Sequence, residues 1–280
     1  MSGIREELAA EIRTKLNGDG IKLPALPDTI IKVQQLMAKD DYSVSDISKI
    51  LLNDAAFATV VMRMANSARF NSSGKEIKNM SIAIQRIGTA NILKLLIGVA
   101  SRMFFKVKHG ELRTAMNKNH EHTLLVSAAA EKVASTCGKA NPADTFLAAL
   151  LHDEGKDVLL TCIPDDLMAV NEGERGDILS EFSREMGARL LYKWELPEEF
   201  ILVAQHHGVE SPDRPNLAML DCVDVADIIV HGMQDGQDGE AIDMSGHAPS
   251  QRLRLSETQI TGIIMDVEDQ IEELRQTFAA

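Results

Sequence analysis

The stretch FLAALLHDEGK, residues 146–156, decides which fold and which chemistry we expect of this chain. An apolar run, FLAALL, leads directly into His152 and Asp153, and Gly155 and Lys156 follow them. An apolar run of this kind predicts a buried segment, which would carry the His-Asp pair into the interior. Because a buried carboxylate costs free energy unless it has a partner, we expect Asp153 to be paired there.

Apolar residues at helical spacing recur through most of the rest of the chain. Ser43 with Asp46, and Ser256 with Gln259, supply helix-start chemistry, and the second pair is a capping-box pattern. The periodicity predicts an all-α, two-lobed chain of about a dozen helices. They are expected at approximately residues 5–16, 27–37, 45–52, 56–66, 90–105, 121–136, 143–150, 178–194, 197–207, 218–231 and 256–278.

Segments rich in small and polar residues are predicted to connect these helices. Residues 70–79 and 233–250 are the two clearest, and the second is expected to be a surface loop. A change of register over residues 106–119 separates an N-terminal subdomain, residues 1–112, from a C-terminal subdomain, residues 113–280. The residues of LPALP, from Leu23 to Pro27, are expected to clip an extended entry segment to the helices.

The composition limits the class of protein. A chain of 280 residues with 45% apolar, 25% charged and 4% aromatic residues is typical of a globular protein and not of a disordered one. A net charge of -13 argues against general coating of nucleic acid. Residues 61–120, however, contain eleven Lys or Arg and two acidic residues, a local charge of +9. This basic segment either docks on the acidic remainder of the chain or binds an anionic partner, a nucleotide or nucleic acid.

The chain carries no recognisable export or membrane signal. Its first residues are charged and amphipathic, and no later stretch approaches 18 uncharged apolar residues, so we expect a cytoplasmic protein with no membrane partner. Cys137, Cys162 and Cys222 are an odd number in apolar surroundings, which is typical of buried thiols in a reducing compartment.

Four side chains form a candidate metal site. Neutral imidazole and carboxylate groups bind Zn, Fe, Mn and related divalent ions, and two of each leave room on the ion for water or a phosphate oxygen. A lone His on an apolar helix face is more often a core residue than a ligand. The prediction of a metal site therefore depends on the whole set of residues and on their order in the chain. The candidates are His122, His152, Asp153 and Asp227.

The order of these residues resembles the HD superfamily of helical metal-dependent phosphohydrolases. More specifically, the chain is similar to the HDOD family, an HD-related output domain of bacterial signalling proteins. Further landmarks stand in the order that the family shows, so the resemblance covers roughly residues 20–232. They are LPALPDTI from residue 23, MANSARFN from residue 64, SIAIQRIG from residue 81 and GARLLYKWELPEEFILVAQHHG from residue 187.

The resemblance implies a site that is complete for a single cation, Fe, Mn, Zn or Mg, at the four candidate residues. His206 and His207 match a pair that supplies additional ligands in the related HD-GYP phosphodiesterases, which hydrolyse cyclic di-GMP. Ser183 stands where those enzymes have a further His, which places a multinuclear site in doubt. The residues after the His pair, GVESPDRPN, also lack the GYP signature, and Glu154 replaces an apolar residue.

Two functions follow from the resemblance. The first is a regulatory, non-catalytic signal-transduction module that acts through contacts with a signalling protein; its polar cluster would then be a relict that ties helices together. The alternative is a metal-dependent phosphohydrolase of phosphomonoesters or phosphodiesters, nucleotides included. In that enzyme Asp153 and Lys156 would be catalytic, with Lys156 meeting the phosphate. No receiver or GGDEF domain accompanies the sequence, so we expect input and output on a separate chain.

Overall fold

The computed structural model describes residues 9–15, 21–39, 41–67, 70–71, 74–235, 242, 244 and 246–278. Every regular element in these ranges is an α-helix, which confirms the predicted all-α class. The N-terminal group consists of α1 (residues 9–15), α2 (Asp28–Met37), α3 (Val44–Leu52), α4 (Ala55–Asn66), α5 (Met80–Ile87) and α6 (Thr89–Phe104).

The C-terminal group forms the larger bundle. It consists of α7 (Gly110–Cys137), α8 (Pro142–Leu151), α9 (Glu154–Cys162), α10 (Pro164–Met168), α11 (Glu172–Lys193), α12 (Glu198–His206), α13 (Ala218–Gln234), α14 (Ala248–Leu253) and α15 (Glu257–Phe278). Helices α6 and α8 pack against each other, as do α4 and α15, and these contacts join the two groups. The division at residue 112 remains a proposal.

Side-chain caps fix the helix starts that the sequence predicted. In α3 the hydroxyl of Ser43 accepts from the backbone N–H of Asp46, and the Asp46 carboxylate accepts from the N–H of Ser43. Ser256 and Gln259 make the same exchange at the start of α15. Each exchange satisfies two backbone groups that a helix end leaves without partners.

Helix α7 differs most from its prediction. It begins at Gly110, inside the segment expected to be a change of register, rather than near Glu121. Leu112, Met116 and Asn119 are buried at steps of four and three, so this polar-looking turn still presents one face to the core. Packing therefore extends the helix through residues whose composition suggested a break.

Four helices were not predicted at all: α5, α9, α10 and α14. Helix α14 begins at Ala248, inside the segment 233–250 that was expected to be a loop, and it buries Pro249 and Leu253. Residues 236–241, 243 and 245 of that segment lie outside the described residues. The described residues of the other predicted connection, 70–71 and 74–79, are non-helical, as expected.

The LPALP segment is attached to the end of α11. Lys193 Nζ donates to the carbonyl oxygen of Leu23 at 2.6 Å, and Trp194 Nε1 donates to that of Pro24 at 3.1 Å. Trp194 is 2% exposed, so the second bond is made inside the core. These bonds bear out the predicted role of the segment as a clip.

The centre of the C-terminal bundle is the middle of α7. Its residues 122–130 are all buried, and α8, α9, α13 and α15 surround the helix. A helix that is buried on every side must belong to the core of the domain. Its neighbours α8, α9 and α13 also carry the polar residues singled out above.

Among the described residues, no single helix is long and apolar enough to cross a membrane. One pair, Met80–Ile87 with Asn91–Ala100, satisfies length and composition only when joined, and it is bent by 100° at its break.

Helices α9 and α11 approach each other at Gly155. A Cβ atom at this position would lie 1.8 Å from the carbonyl oxygen of Ser183 and 2.6 Å from the backbone nitrogen of Gly187. We expect Gly155→Ala to lower the free energy of unfolding by about 3 kcal/mol, because neither backbone can move without disturbing the core. Urea unfolding followed by circular dichroism measures this change.

The matched control is Gly176→Ala in α11, where an added Cβ atom meets nothing within 4 Å. This variant should gain up to about 1 kcal/mol from the higher helix propensity of Ala. Equal unfolding midpoints for the two variants would contradict the close approach of α9 and α11.

Candidate metal centre

His152 and Asp153 occupy the junction between α8 and α9. His152 caps the end of α8 and Asp153 precedes the first turn of α9, and their exposed fractions are 1% and 3%. His152 Nδ1 donates to the carbonyl oxygen of Ala149 at 2.6 Å, so the other ring nitrogen, Nε2, presents a lone pair in the neutral ring. Burial lowers the pKa of His152 to about 4, which keeps the ring neutral at pH 7.

The carboxylate of Asp153 contacts three cationic or potentially cationic side chains, one of which is His152, whose Nε2 lies 3.7 Å from Oδ2. Lys156 donates to the same Oδ2 atom, and His207 Nε2 lies 3.5 Å from Oδ1 of this carboxylate. Burial by itself raises the pKa of this group, but the nearby His152 and Lys156 hold the pKa of Asp153 well below its usual range. The carboxylate is therefore charged inside the core, as the sequence required.

Helices α7 and α13 bring His122 and Asp227 together. His122 Nε2 lies 2.9 Å from Asp227 Oδ1, and the two side chains are 9% and 18% exposed. Burial alone raises the pKa of Asp227, but the close contacts with the rings of His122 and His231 outweigh burial and lower it. His231, one turn along α13, has its Nδ1 3.2 Å from the same Oδ1 atom.

These pairs form one continuous cluster with His122 at its centre. The ligand atoms of His122, His152 and Asp153 lie within 4.8 Å of one another, and so do those of His122, Asp227 and His231. The structure thus links the four residues that the sequence selected through His122, although no single group of close ligand atoms among the described residues contains all four. Their assignment as ligands is taken up below as a proposal.

The two additional candidates take different positions. His207 is buried, and its ring lies 4.8 Å from that of His152, centroid to centroid. Contact with Asp153 raises the pKa of His207 above its ordinary value, although burial acts in the opposite direction. His206 is half-buried and belongs to neither group of close ligand atoms among the described residues.

Sequence reasoning missed His231 and a layer of side chains beneath the cluster. Asp227 and His231 are four residues apart on one helix, a spacing that would have revealed the second residue. Beneath Asp153, Asn119 donates to its carbonyl oxygen at 3.3 Å. Asp157, fully buried, accepts from Asn119 and has its Oδ2 2.6 Å from His120 Nε2.

A buried ionic network holds the loop that follows His207. Arg214, whose side chain is 5% exposed, contacts Asp221 at 2.8 Å and Asp224 at 2.6 Å on α13. Asp224 also accepts from the backbone N–H of Gly208 at 2.9 Å, and Arg252 of α14 contacts Asp221 at 2.8 Å. The loop GVESPDRPN, notable in the sequence only for the signature it lacks, is thus tied directly to α13.

The donor set fits a divalent cation. Asp153 Oδ1 and Asp227 Oδ1 are buried and accept no hydrogen bond of adequate geometry, although imidazole nitrogens lie within 3.5 Å of both. Buried oxygens without hydrogen bonds are rare in native proteins and call for an explanation such as an ion. Imidazole nitrogens and carboxylate oxygens around a common point are the ligands that Zn, Fe and Mn prefer.

Solvent reaches the cluster from one side. The side chains of Lys156 and His231 are 33% and 59% exposed, whereas those of His152 and Asp153 are almost completely covered. Glu154, the departure from the family pattern, is 2% exposed and faces inward rather than into this opening.

The basic segment 61–120 is partly neutralised within the chain. Lys94 forms an ion pair with Asp144 of α8, and Lys78 forms one with Glu76. Other basic residues of the segment are exposed, and nucleotide or nucleic-acid binding there stays a prediction. They include Lys75, Arg86, Lys106, Lys108, Arg113 and Lys118.

Comparisons with known proteins agree with this architecture. The HDOD domain family model matches residues 23–209. An uncharacterized protein of Treponema pallidum (strain Nichols) is 26% identical over 242 residues, which are 82% of this chain and 45% of the relative, so the chain spans under half of that relative's length.

Two solved structures share the fold. One is the "Putative metal-dependent phosphohydrolase" of Shewanella amazonensis SB2B, with a TM-score of 0.79, 21% identity, and coverage of 99% of this chain and 100% of that chain. The other is the "Putative signal transduction protein" of Marinobacter aquaeolei VT8, with a TM-score of 0.66, 16% identity, and coverage of 93% of this chain and 60% of that chain.

The lowered pKa of His152 predicts how stability depends on pH in the metal-free protein. The pKa is about 4 in the folded chain, against an ordinary histidine value of 6.5, so the unfolded chain binds more protons between these values. The contribution is complete above pH 6.5 and is lost as the pH falls toward 4, a change of up to about 3 kcal/mol. Urea unfolding in the presence of a chelator, at several pH values in this interval, measures it.

His152→Gln should flatten this profile, because the variant has no imidazole to protonate at the buried position. His206→Gln, which changes a histidine outside the cluster, serves as the control and should retain the slope of the wild-type protein. Parallel profiles for His152→Gln and the wild type would contradict the assignment.

Proposed function

Because the chain belongs to the HDOD domain family, we propose that it is a regulatory signal-transduction module whose C-terminal bundle is held together by a divalent cation. His122, His152, Asp153 and Asp227 are the proposed ligands, with His207 as an additional one. In this function the module acts through contacts with a signalling protein and turns over no substrate. The name of the Marinobacter aquaeolei protein supports the signalling context.

The observation that carries the proposal is the pair of buried carboxylate oxygens, Asp153 Oδ1 and Asp227 Oδ1, that accept no hydrogen bond of adequate geometry although imidazole nitrogens lie within 3.5 Å of both. They belong to separate elements, the α8–α9 junction and α13, and His122 of α7 lies between them. Lys156 compensates part of the charge of Asp153 at Oδ2, but no hydrogen bond of adequate geometry reaches either Oδ1 atom, and buried carboxylates destabilise the fold unless their remaining lone pairs are also satisfied. A cation would meet that need and join three elements at a single point.

The burial of the cluster favours a structural role for the cation. With His152 and Asp153 at 1% and 3% exposure, a substrate would have little access to the ligands on the inner side. Binding energy at such a site stabilises the folded chain, because the unfolded chain does not assemble the ligands. A stable arrangement of α7, α12 and α13 then presents a fixed surface to a partner protein.

The first test is the metal content of protein purified without chelator or affinity metal. We expect one divalent cation per chain by elemental analysis, chosen among Fe, Mn, Zn and Mg. Asp227→Asn, which keeps the shape and removes the charge, should weaken cation binding by well over tenfold, because losing even a group that only orients a metal ligand costs about 10–100-fold. His206→Gln is the matched control and should retain the wild-type content.

Protein that stays empty after each of these ions is supplied in excess would contradict the cation. So would equal affinity in the wild type and Asp227→Asn.

The second candidate function is metal-dependent phosphoester hydrolysis. It is favoured by the exposed side of the cluster, where Lys156 and His231 border the opening, and by the name of the Shewanella amazonensis protein. A bound cation supplies Lewis-acid polarisation of a phosphoryl oxygen. Lys156, which donates to Asp153, is placed to offset negative charge on a phosphate that enters from this side.

Turnover separates the two functions. For the regulatory module we expect bis-p-nitrophenyl phosphate and p-nitrophenyl phosphate to be hydrolysed no faster by the wild type than by Asp153→Ala or His122→Ala, with Mn, Fe, Zn and Mg each supplied. A wild-type rate well above that of both variants would establish the hydrolase instead, with Asp153 and Lys156 as its catalytic residues. Thermal unfolding of the three proteins shows whether the variants remain folded.

A further inference from the structure

Two of the three cysteines face each other across the C-terminal bundle. Cys137 is the last residue of α7 and Cys222 lies in the second turn of α13, and their sulfur atoms are 3.8 Å apart although 85 positions separate them in the chain. All three cysteines were expected to be buried thiols. Only Cys222 is buried, while Cys137 and Cys162 are half-buried.

We propose that Cys137 and Cys222 are an oxidative modification site, at which a hydroperoxide converts the two thiols into an intramolecular disulfide that joins α7 to α13. This inference rests on the sulfur contact and does not depend on the proposed cation or on any catalytic activity.

The position of Cys137 suits this reaction. A disulfide needs the sulfur atoms about 2.05 Å apart, so they must approach by roughly 2 Å. Cys137 is followed by Gly138, which has a φ of 65° and ends the helix, and its neighbours Ser135 and Thr136 are exposed. A helix end can shift by this amount with less disturbance than a buried turn, because fewer packed side chains must move.

The order of the two steps follows from exposure. Burial raises the pKa of the Cys222 thiol, so the half-buried Cys137 is the residue that meets the oxidant first. Its sulfur takes one oxygen from the hydroperoxide, the O–O bond breaks, and water (or an alcohol) leaves, which gives a sulfenic acid. The Cys222 sulfur then displaces the hydroxyl group, which leaves with the Cys222 proton as water. Two thiols thereby give two electrons and two protons to one hydroperoxide.

The disulfide would connect two elements that also carry cluster residues. His122 lies on α7 and Asp227 on α13, and the two helices pack along their length. Closing an 85-residue span restricts the unfolded chain, so the oxidised protein should unfold at a temperature several degrees higher than the reduced protein.

The experiment treats reduced, desalted full-length chain with stoichiometric hydrogen peroxide and then blocks the remaining thiols with iodoacetamide. Non-reducing digestion and mass spectrometry should recover the Cys137 peptide joined to the Cys222 peptide, lighter by two hydrogen atoms, while Cys162 carries the alkyl label. Dithiothreitol should restore labelling of all three cysteines.

Cys162 supplies the matched control, because its sulfur contacts the carbonyl oxygen of Lys22. Cys162→Ser should form the same cross-link, whereas Cys137→Ser and Cys222→Ala should form none. The labelling pattern of the unmutated chain tests the proposal even if Cys222→Ala fails to fold. Disulfides found only between chains, or sulfinic acid at Cys137 with Cys222 still alkylated, would overturn it.

Discussion

The charge of Asp153 inside the core is the constraint on which the C-terminal bundle depends. A carboxylate that is 3% exposed must be compensated, and the chain surrounds it with Lys156, His152 and His207 while Asn119 holds its carbonyl oxygen. His152 and Lys156 are close neighbours of Asp153 in the sequence, whereas His207 and Asn119 come from distant parts of the chain. The packing of α7, α8, α9 and α12 is therefore coupled to one ionised group. Protonation or substitution of Asp153 should alter the packing of all four helices.

The class of fold could be predicted from the sequence because it depends on local periodicity. Apolar spacing predicted the long helices. Ser43 and Asp46, which are only three positions apart and contact each other, marked the start of α3. The predicted start of α7 was wrong because the first turns of this helix have a polar composition. One face of these turns is nevertheless buried by tertiary packing, which the sequence pattern does not reveal. The six-residue helix α14 has too few turns for a periodic signal, so its existence also depends on what packs against it.

In the candidate site, too, contacts between sequence neighbours could be predicted, whereas contacts made only by tertiary packing could not. A neighbouring pair such as His152 and Asp153 can be seen in the sequence, and so could Asp227 with His231 at helical spacing. The contact of Asp157 with His120, and the enclosure of Arg214 by Asp221 and Asp224, join positions that no local pattern relates. Ser183, where related phosphodiesterases have a histidine, lies with its carbonyl oxygen against Gly155, so this stretch of α11 serves close helix packing.

The buried ionic network around Arg214 restrains the loop that follows His207. Arg214 and Arg252, with Asp221 and Asp224, tie residues 208–217 to α13 and α14 through ion pairs that are largely screened from water. A loop restrained in this way cannot fold down as a flap over whatever enters beside Lys156. Under the proposed regulatory function, the loop would offer a partner protein a preformed surface, and docking on such a surface loses little conformational entropy.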